Sequence, residues 1–437
     1  MRFLSFLCSL LLLTATAASA QQTPGRSGTF ALTNARIVTV TNGTIDQGTL
    51  VVEDGRIAAV GANVSVPDDA EVIDCTDLTL YPGMIDSGTQ LGLIEVSSLS
   101  ETRDHRELGD LTPHMEALTA VNPSSVSIPV TRVNGITSVI TEPEGGLLPG
   151  TAALIGLHGY TPTQMHLGGF EAIVLNYPAT GRRGWWDDRS PEEIEEEAQE
   201  AIDNLNAVWE QAVLYARIDS AHTADPDAHR APEYSAAMRA MIPAVRGEMP
   251  LLVKADGASD ITSAIGWADE HGVLDQMILS GAEEGWRVAD SIAASGVPVL
   301  TGPVLSTPER DSDRYDKPYA NAGLMQDAGV QVALRTGEVE NVRNLPYHAG
   351  FAAAYGLGKE AALRAVTIVP AQIFGVDDEI GSLEVGKRAN LFAATGDPFE
   401  TKTDIVHLFI DGYQIPLESR HTELYDEFMR RTPGLQK

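Results

Sequence analysis

Basic residues are scarce in this chain: 30 lysines and arginines stand against 61 aspartates and glutamates, a formal net charge of −31 at pH 7. Such a surface repels phosphate backbones and anionic lipid, which argues against nucleic-acid and membrane-surface roles. Cysteine is nearly absent. Cys8 lies in an apolar N-terminal run, without the small residues that precede a lipidated cysteine, and only Cys75 follows it. Once that run is removed no intramolecular disulfide can form, so stability must come from the core. After it, no segment approaches the roughly 18 apolar residues that a membrane span needs. The run itself has the parts of a secretory signal: Arg2, the apolar stretch from Phe3 to Leu13, and the small-residue site Ala18-Ser19-Ala20 before polar Gln21-Gln22-Thr23-Pro24. Cleavage after Ala20 and a periplasmic or secreted protein are therefore expected. Also missing are a Gly-rich dinucleotide fingerprint, a Gly-x-Ser-x-Gly elbow and a His-x3-His pair.

What is present changes character along the chain. From Phe30 to Asp74 the pattern is one of short strands and tight turns. Leu32 to Val40 is β-rich, Asn42-Gly43 is a hairpin signal, and Asp54-Gly55 turns one β-branched run into Arg56-Ile57-Ala58-Ala59-Val60-Gly61. Beyond Gly83, apolar β-type runs alternate with helical periodicity. The runs are Thr137 to Thr141, Ala172 to Asn176, Leu251 to Lys254, Gln276 to Ser280, Val297 to Thr301 and Val330 to Thr336. The stretch from Pro191 to Tyr215 reads as a helix, with Ser190 as its cap, Pro191 at its first position and Glu193 completing a capping box. This alternation predicts a (β/α)8 TIM-type barrel rather than a doubly wound sheet. After Pro370 the β pattern returns in Leu391 to Ala394 and Ile405 to Asp411. The expected organisation is a barrel over residues 84–370 and a small composite β-sandwich from residues 21–83 and 371–437.

Several local signatures occur in one order. Val52-Glu53-Asp54-Gly55-Arg56-Ile57-Ala58-Ala59-Val60-Gly61 precedes Glu71-Val72-Ile73-Asp74 and Leu80-Tyr81-Pro82-Gly83-Met84-Ile85-Asp86. Later come Ala365-Val366-Thr367-Ile368-Val369-Pro370-Ala371 and Ile380-Gly381-Ser382-Leu383-Glu384-Val385-Gly386-Lys387-Arg388-Ala389-Asn390-Leu391. The ordered set resembles the amidohydrolase superfamily, particularly its imidazolonepropionase-like and dipeptidase-like exported members, from about Phe30 to about Tyr425. The resemblance implies hydrolysis of C–N bonds in amides, dipeptides or cyclic amides. It also implies zinc or another divalent metal at the C-terminal mouth of the barrel. There the first strand supplies His-x-His, the fourth a carboxylated lysine or a glutamate, the fifth and sixth a histidine each, and the eighth an aspartate. Such ligands fix ions that lower the pKa of a bound water.

Carried onto this sequence, the ligand positions hold other residues. The first-strand histidines fall on Gly88 and Gln90, the fifth-strand histidine on Lys254, the sixth on Ser280 and the eighth-strand aspartate on Gly337. Leu175-Asn176 offers neither lysine nor glutamate. Glycine has no ligand atom, and a glutamine amide is a poor zinc ligand. The sequence thus predicts no metal cofactor, and His105, His114, His158 and His166 read as loop or surface residues. Asp86 is expected to support the end of the first strand. Lys254 is the one candidate catalytic residue, since a partly buried lysine with a lowered pKa acts as base or nucleophile. With Gln90, Asp256, Ser280, Glu283, Arg335, Glu338 and Arg343, and with Glu284 beside them, it predicts a polar mouth. The mouth reads either as a pocket for a small polar or zwitterionic molecule or as an internal ion-pair network in place of the metal. Two functions follow: a non-catalytic ligand-binding or partner subunit beside an active paralogue, or a hydrolase with an atypical metal or none. Self-association into a homo-oligomer is also expected.

Overall fold

The computed structural model describes residues 25–181, 188–337 and 339–431. The expected signal segment and Glu338 lie outside the described residues. The first strands are β1 (Phe30–Val38), β2 (Thr44–Glu53), β3 (Arg56–Gly61), β4 (Glu71–Asp74) and β5 (Thr79–Pro82). Next come β6 (Met84–Thr89), β7 (Ile136–Thr141), β8 (Gly150–Gly156), β9 (His166–Asn176), β10 (Leu251–Ala255), β11 (Met277–Gly281), β12 (Val299–Thr301) and β13 (Val332–Leu334). The chain then returns through β14 (Leu391–Ala394), β15 (Ile405–Ile410) and β16 (Tyr413–Ile415).

One sheet runs β16-β15-β14-β5-β1-β2-β3, with β4 also paired to β1, so both ends of the chain build it. The β2–β3 hairpin turns on Asp54 and Gly55, both at positive φ (49° and 79°), the conformation in which a two-residue turn follows the strand twist. Phe30, Leu32, Ile37, Leu50, Phe409 and Leu391 fill its core.

The other sheet runs β6 to β13 in sequence order and is a nearly closed TIM-type barrel. At the seam between its end strands the Gly337 amide donates to the Gly88 carbonyl at 3.0 Å. The barrel departs from a regular βα alternation at one place: β8 is antiparallel to both β7 and β9. The connection after β8 therefore emerges at the base of the barrel, where the parallel strands begin. The predicted helix is present and longer, Pro191–Ala224, and the Ser190–Glu193 capping box forms. Its Trp209 meets Trp267 of the helix Ala258–Glu270 edge-on, 5.3 Å between ring centres.

Inside the barrel each strand contributes to one apolar layer: Ile85, Ile140, Leu154, Val174, Leu252, Ile278, Leu300 and Ala333. This layer fixes the mouth. Side chains two residues further along a strand face the same way. Beyond Ile140, Leu252, Ile278 and Ala333 those residues are Glu142, Lys254, Ser280 and Arg335.

Candidate functional site

The four residues meet above the apolar layer. Glu142 is 1% exposed, and its Oε1 accepts from Lys254 Nζ at 3.0 Å and from Arg335 Nη2 at 2.5 Å. Arg335 Nη1 donates to the Ser280 hydroxyl. Burial alone would raise the Glu142 carboxyl, but the Arg335 guanidinium and then the Lys254 ammonium outweigh it, and its pKa falls below the usual range. Burial likewise works against the Arg335 charge, yet Glu142 and Asp86 raise its pKa. Lys254 is thus committed to a countercharge, and its partner is Glu142.

Arg335 also determines what fits beside the first strand. A Cβ placed on Gly88 would lie 2.8 Å from Arg335 Cζ and 2.9 Å from its Nε, so the guanidinium occupies the space that a larger side chain at 88 needs. Asp86, wholly buried, supports the closure of the barrel. Its Oδ2 accepts the Thr336 hydroxyl at 2.6 Å, and its Oδ1 accepts the Thr336 and Gly88 amides at 3.1 Å each. Burial pushes its carboxyl up to about 6 despite these donors. Gly337, at positive φ (65°), spans the seam to Gly88 through its amide rather than offering a side chain.

Around this centre lie two rims. On one, Gln90 Nε2 donates to Glu144 Oε2 at 2.6 Å, and His105 Nε2 stands 3.7 Å from the same oxygen. On the other, Glu283 and Glu309 face each other in a small cleft of about 20 Å³ with Thr301, Gly302 and Ser306. Burial, the hydrogen bond that the protonated Glu283 carboxyl donates to Glu309, and the charges of Asp256 and Glu309 push Glu283 up to about 9. Asp256 remains exposed at the edge. His348 reaches this wall from behind: it is 3% exposed, and its Nδ1 accepts the Val304 amide at 3.1 Å.

The structure therefore gathers Lys254, Ser280 and Arg335, with Gln90, Asp256 and Glu283 around them. Two sequence-based placements change, those of Arg343 and Glu284. Arg343 does not line the mouth: its Nη1 lies 3.2 Å from His421 Nδ1 and its carbonyl accepts from Asn134, at the base where β7 is about to start. A helical turn, Val342–Asn344, has carried the chain back across the barrel. Glu284 is a structural hub turned away from the centre, binding Arg287, Arg310 and the Ala258 amide. His158 and His166 belong to the base because β8 is antiparallel; His158 packs on Tyr413 with 4.9 Å between ring centres. Cys75 is buried in the composite sheet, where burial raises its thiol to about 11. Two site residues escaped the sequence reading, Glu142 and His348. Glu142 was detectable as the residue two beyond Ile140; nothing local marks His348.

The Amidohydrolase family profile matches residues 289–415. The amidohydrolase tasK of Hapsidospora irregularis is 22% identical over 403 residues, 84% of this chain and 39% of that protein. An imidazolonepropionase of Vibrio cholerae is 38% identical over 65 residues, 14% of this chain and 16% of that one. The chain thus spans well under two thirds of the length of either relative. Among solved structures, an amidohydrolase from Thermotoga maritima superposes with a TM-score of 0.77 at 24% identity, over 89% of this chain and 99% of that one. With the ordered sequence signatures and the barrel in place, the conclusion is that this chain has the amidohydrolase fold and matches the amidohydrolase family over residues 289–415.

Proposed function

We propose that this member of a hydrolase lineage has given up metal-assisted hydrolysis and that its mouth binds a small polar or zwitterionic molecule. The observation that carries the reading is the Arg335 guanidinium lodged against Gly88 and paired with Glu142. A divalent ion needs neutral imidazoles and carboxylates converging on one point. Here two side-chain cations, Lys254 and Arg335, converge on the central carboxylate instead. Among the described residues no group of three or more His, Cys, Asp or Glu side chains is arranged to hold a metal. The residues present do not fit the ion, and no step is routed through one. An ion-paired floor flanked by Gln90, Asp256 and Glu283 offers both signs of charge, which suits a ligand carrying an amine and a carboxylate. Export with cleavage after Ala20, and service as a partner to an active paralogue, are parts of the same proposal.

The test is the metal content of the mature chain, purified without chelator and without a metal-binding tag. Metal far below one ion per chain, also after incubation with zinc or manganese, is expected. A transition metal near one per chain, together with amide or dipeptide hydrolysis that a chelator stops, would overturn the reading.

A second reading rests on Glu283. A carboxyl raised to about 9 beside Asp256 remains protonated at neutral pH and can act as a general acid. Turnover of a dipeptide by metal-free protein, abolished by Glu283→Gln, would favour that reading over ligand binding.

A further inference from the structure

A second concavity lies at the opposite end of the barrel. It is a cleft of about 430 Å³ between the composite sheet and the segment Lys359–Arg364. Its volume falls in the range of small-molecule sites, roughly 300–1,000 Å³. Tyr81 lines it two residues before Gly83, so it opens where β6 begins, away from the mouth.

In a chain with twice as many acidic as basic residues, two arginines, Arg36 and Arg364, line this cleft together with the carboxylates Glu360 and Asp397. The nearest carboxylate oxygen paired with Arg36 is on fully exposed Asp46, 3.9 Å from Nε. Arg364 spends one donor on the Val40 carbonyl at 3.1 Å, and among the described residues no carboxylate lies within ion-pair distance of it. Lys359, by contrast, is held by Asp397 at 2.7 Å and closes one end. Val38, Leu363 and Phe399 form the apolar part of the wall, with Thr44, Tyr81 and Glu360 beside them. Val40 adds an independent sign. It has φ 75°, a conformation that a β-branched residue adopts only when its surroundings impose it, and one that concentrates at binding sites. That geometry is what aims its carbonyl at Arg364.

We propose that this cleft is a second ligand site, specific for a small organic acid whose carboxylate sits between Arg36 and Arg364 and whose apolar body lies on Val38, Leu363 and Phe399. A planar carboxylate matches the donor fork of a guanidinium, and an uncommitted guanidinium keeps those donors available. Because Arg36 belongs to β1 and Arg364 to the barrel segment, the ligand bridges the two parts of the molecule.

Titration calorimetry on the mature protein with 3-phenylpropionate, its neutral amide and inorganic phosphate tests this. The acid is expected to bind, with its Kd raised about tenfold or more by Arg36→Gln and by Arg364→Gln, the size of one lost charge-assisted pair. The amide and phosphate should bind at least about tenfold more weakly, and Lys254→Met should leave acid binding unchanged. Equal binding of acid and amide would remove the role of the arginines. Phosphate as tight as the acid would remove the apolar body from the recognition. Loss of binding in Lys254→Met but not in Arg36→Gln would move the ligand to the mouth. No binding of the acid up to about 10 mM would overturn the site altogether. Arg36 is half-exposed and holds no backbone group, so its variant remains informative if Arg364→Gln loosens the Val40 turn.

Discussion

Two ion networks in this molecule use the same kinds of side chain in different surroundings. At the mouth, Glu142 binds Lys254 and Arg335 with its own side chain 2% exposed and those of the cations 20% and 10% exposed. At the composite sheet, Glu379 binds Arg56 and Arg388, and Arg388 also binds Asp411; these side chains are 25–47% exposed. Distances are alike in the two places. The energetic meaning is not, because the first network has exchanged water for protein and the second still has both. Buried charges are costly when a partner is removed, whereas solvated ones are readily rehydrated. The mouth network is thus an all-or-none assembly.

The largest effect should come from Glu142→Gln, which leaves Arg335 and Lys254 facing each other without the carboxylate that both bind. A loss of about 3–5 kcal/mol in denaturant unfolding is expected. Replacing all three ions together, Glu142→Leu with Lys254→Met and Arg335→Met, should recover most of that loss, since no charge is then stranded. If Glu142→Gln proves as mild as a surface change, the contrast between the two networks fails.

Next in size is a pH effect behind the mouth. His348 accepts the Val304 amide with a neutral ring nitrogen, and burial lowers its pKa from 6.5 to about 4. For a base depressed on folding, the stabilisation is fully present above 6.5 and is lost as pH falls through 4. The fall amounts to about 3 kcal/mol over that window. His348→Gln, which removes the titration, should flatten that part of the stability–pH curve. An unchanged slope between pH 6.5 and 4 would show that this imidazole does not hold the wall.

Asp86 should act with the opposite sign over nearly the same window. Its folded pKa is raised from 3.8 to about 6, so its contribution is full below about 3.8 and is lost as pH rises through 6. Since the three donors around Asp86 also satisfy the ionised form, the loss should stay below about 3 kcal/mol. Between pH 4 and 6 the Asp86 slope therefore opposes the His348 slope. Asp86→Asn should expose the His348 slope, and His348→Gln the Asp86 slope. Parallel curves for both variants and the wild type would break this account.

How far the sequence disclosed the molecule follows from the kind of signal each part leaves. The barrel was legible because β-type runs and helical periods alternate after Gly83, and the composite sheet because the β pattern returns after Pro370. The strand Gly150–Gly156 was not among the runs recognised, because Gly-Thr-Ala-Ala-Leu-Ile-Gly has few bulky β-formers. Its antiparallel direction was equally hidden, since pairing direction is set by neighbours and not by composition. That in turn placed His158 and His166 at the base. Lys254, Ser280 and Arg335 were legible as residues at strand ends. Glu142 obeys the same two-residue alternation past Ile140, but the β-type run ends in sequence at Thr141 and the resemblance implies no ligand on that strand. Arg343 lies only eight positions beyond Arg335, yet a helical turn intervenes, and proximity in sequence ceased to mean proximity in space.

The smallest expected effect belongs to the exposed network and serves as the control. Arg388 joins Glu379 at 2.9 Å and Asp411 at 3.1 Å, which gives it more close ionic partners than Lys254 has. Counting contacts would rank it as the more important cation. Solvent screening reverses the ranking, since Glu379 and Asp411 keep enough access to water to be rehydrated when the guanidinium goes. Arg388→Met should cost about 1 kcal/mol or less, and the loss should shrink further as salt is added from about 0.1 M to 1 M. The corresponding Lys254→Met loss at the mouth should be larger and nearly indifferent to salt, because counter-ions cannot reach Glu142. If both substitutions respond to salt alike, the mouth is wetter than its burial implies, and the case for a closed charge network in place of a metal weakens with it.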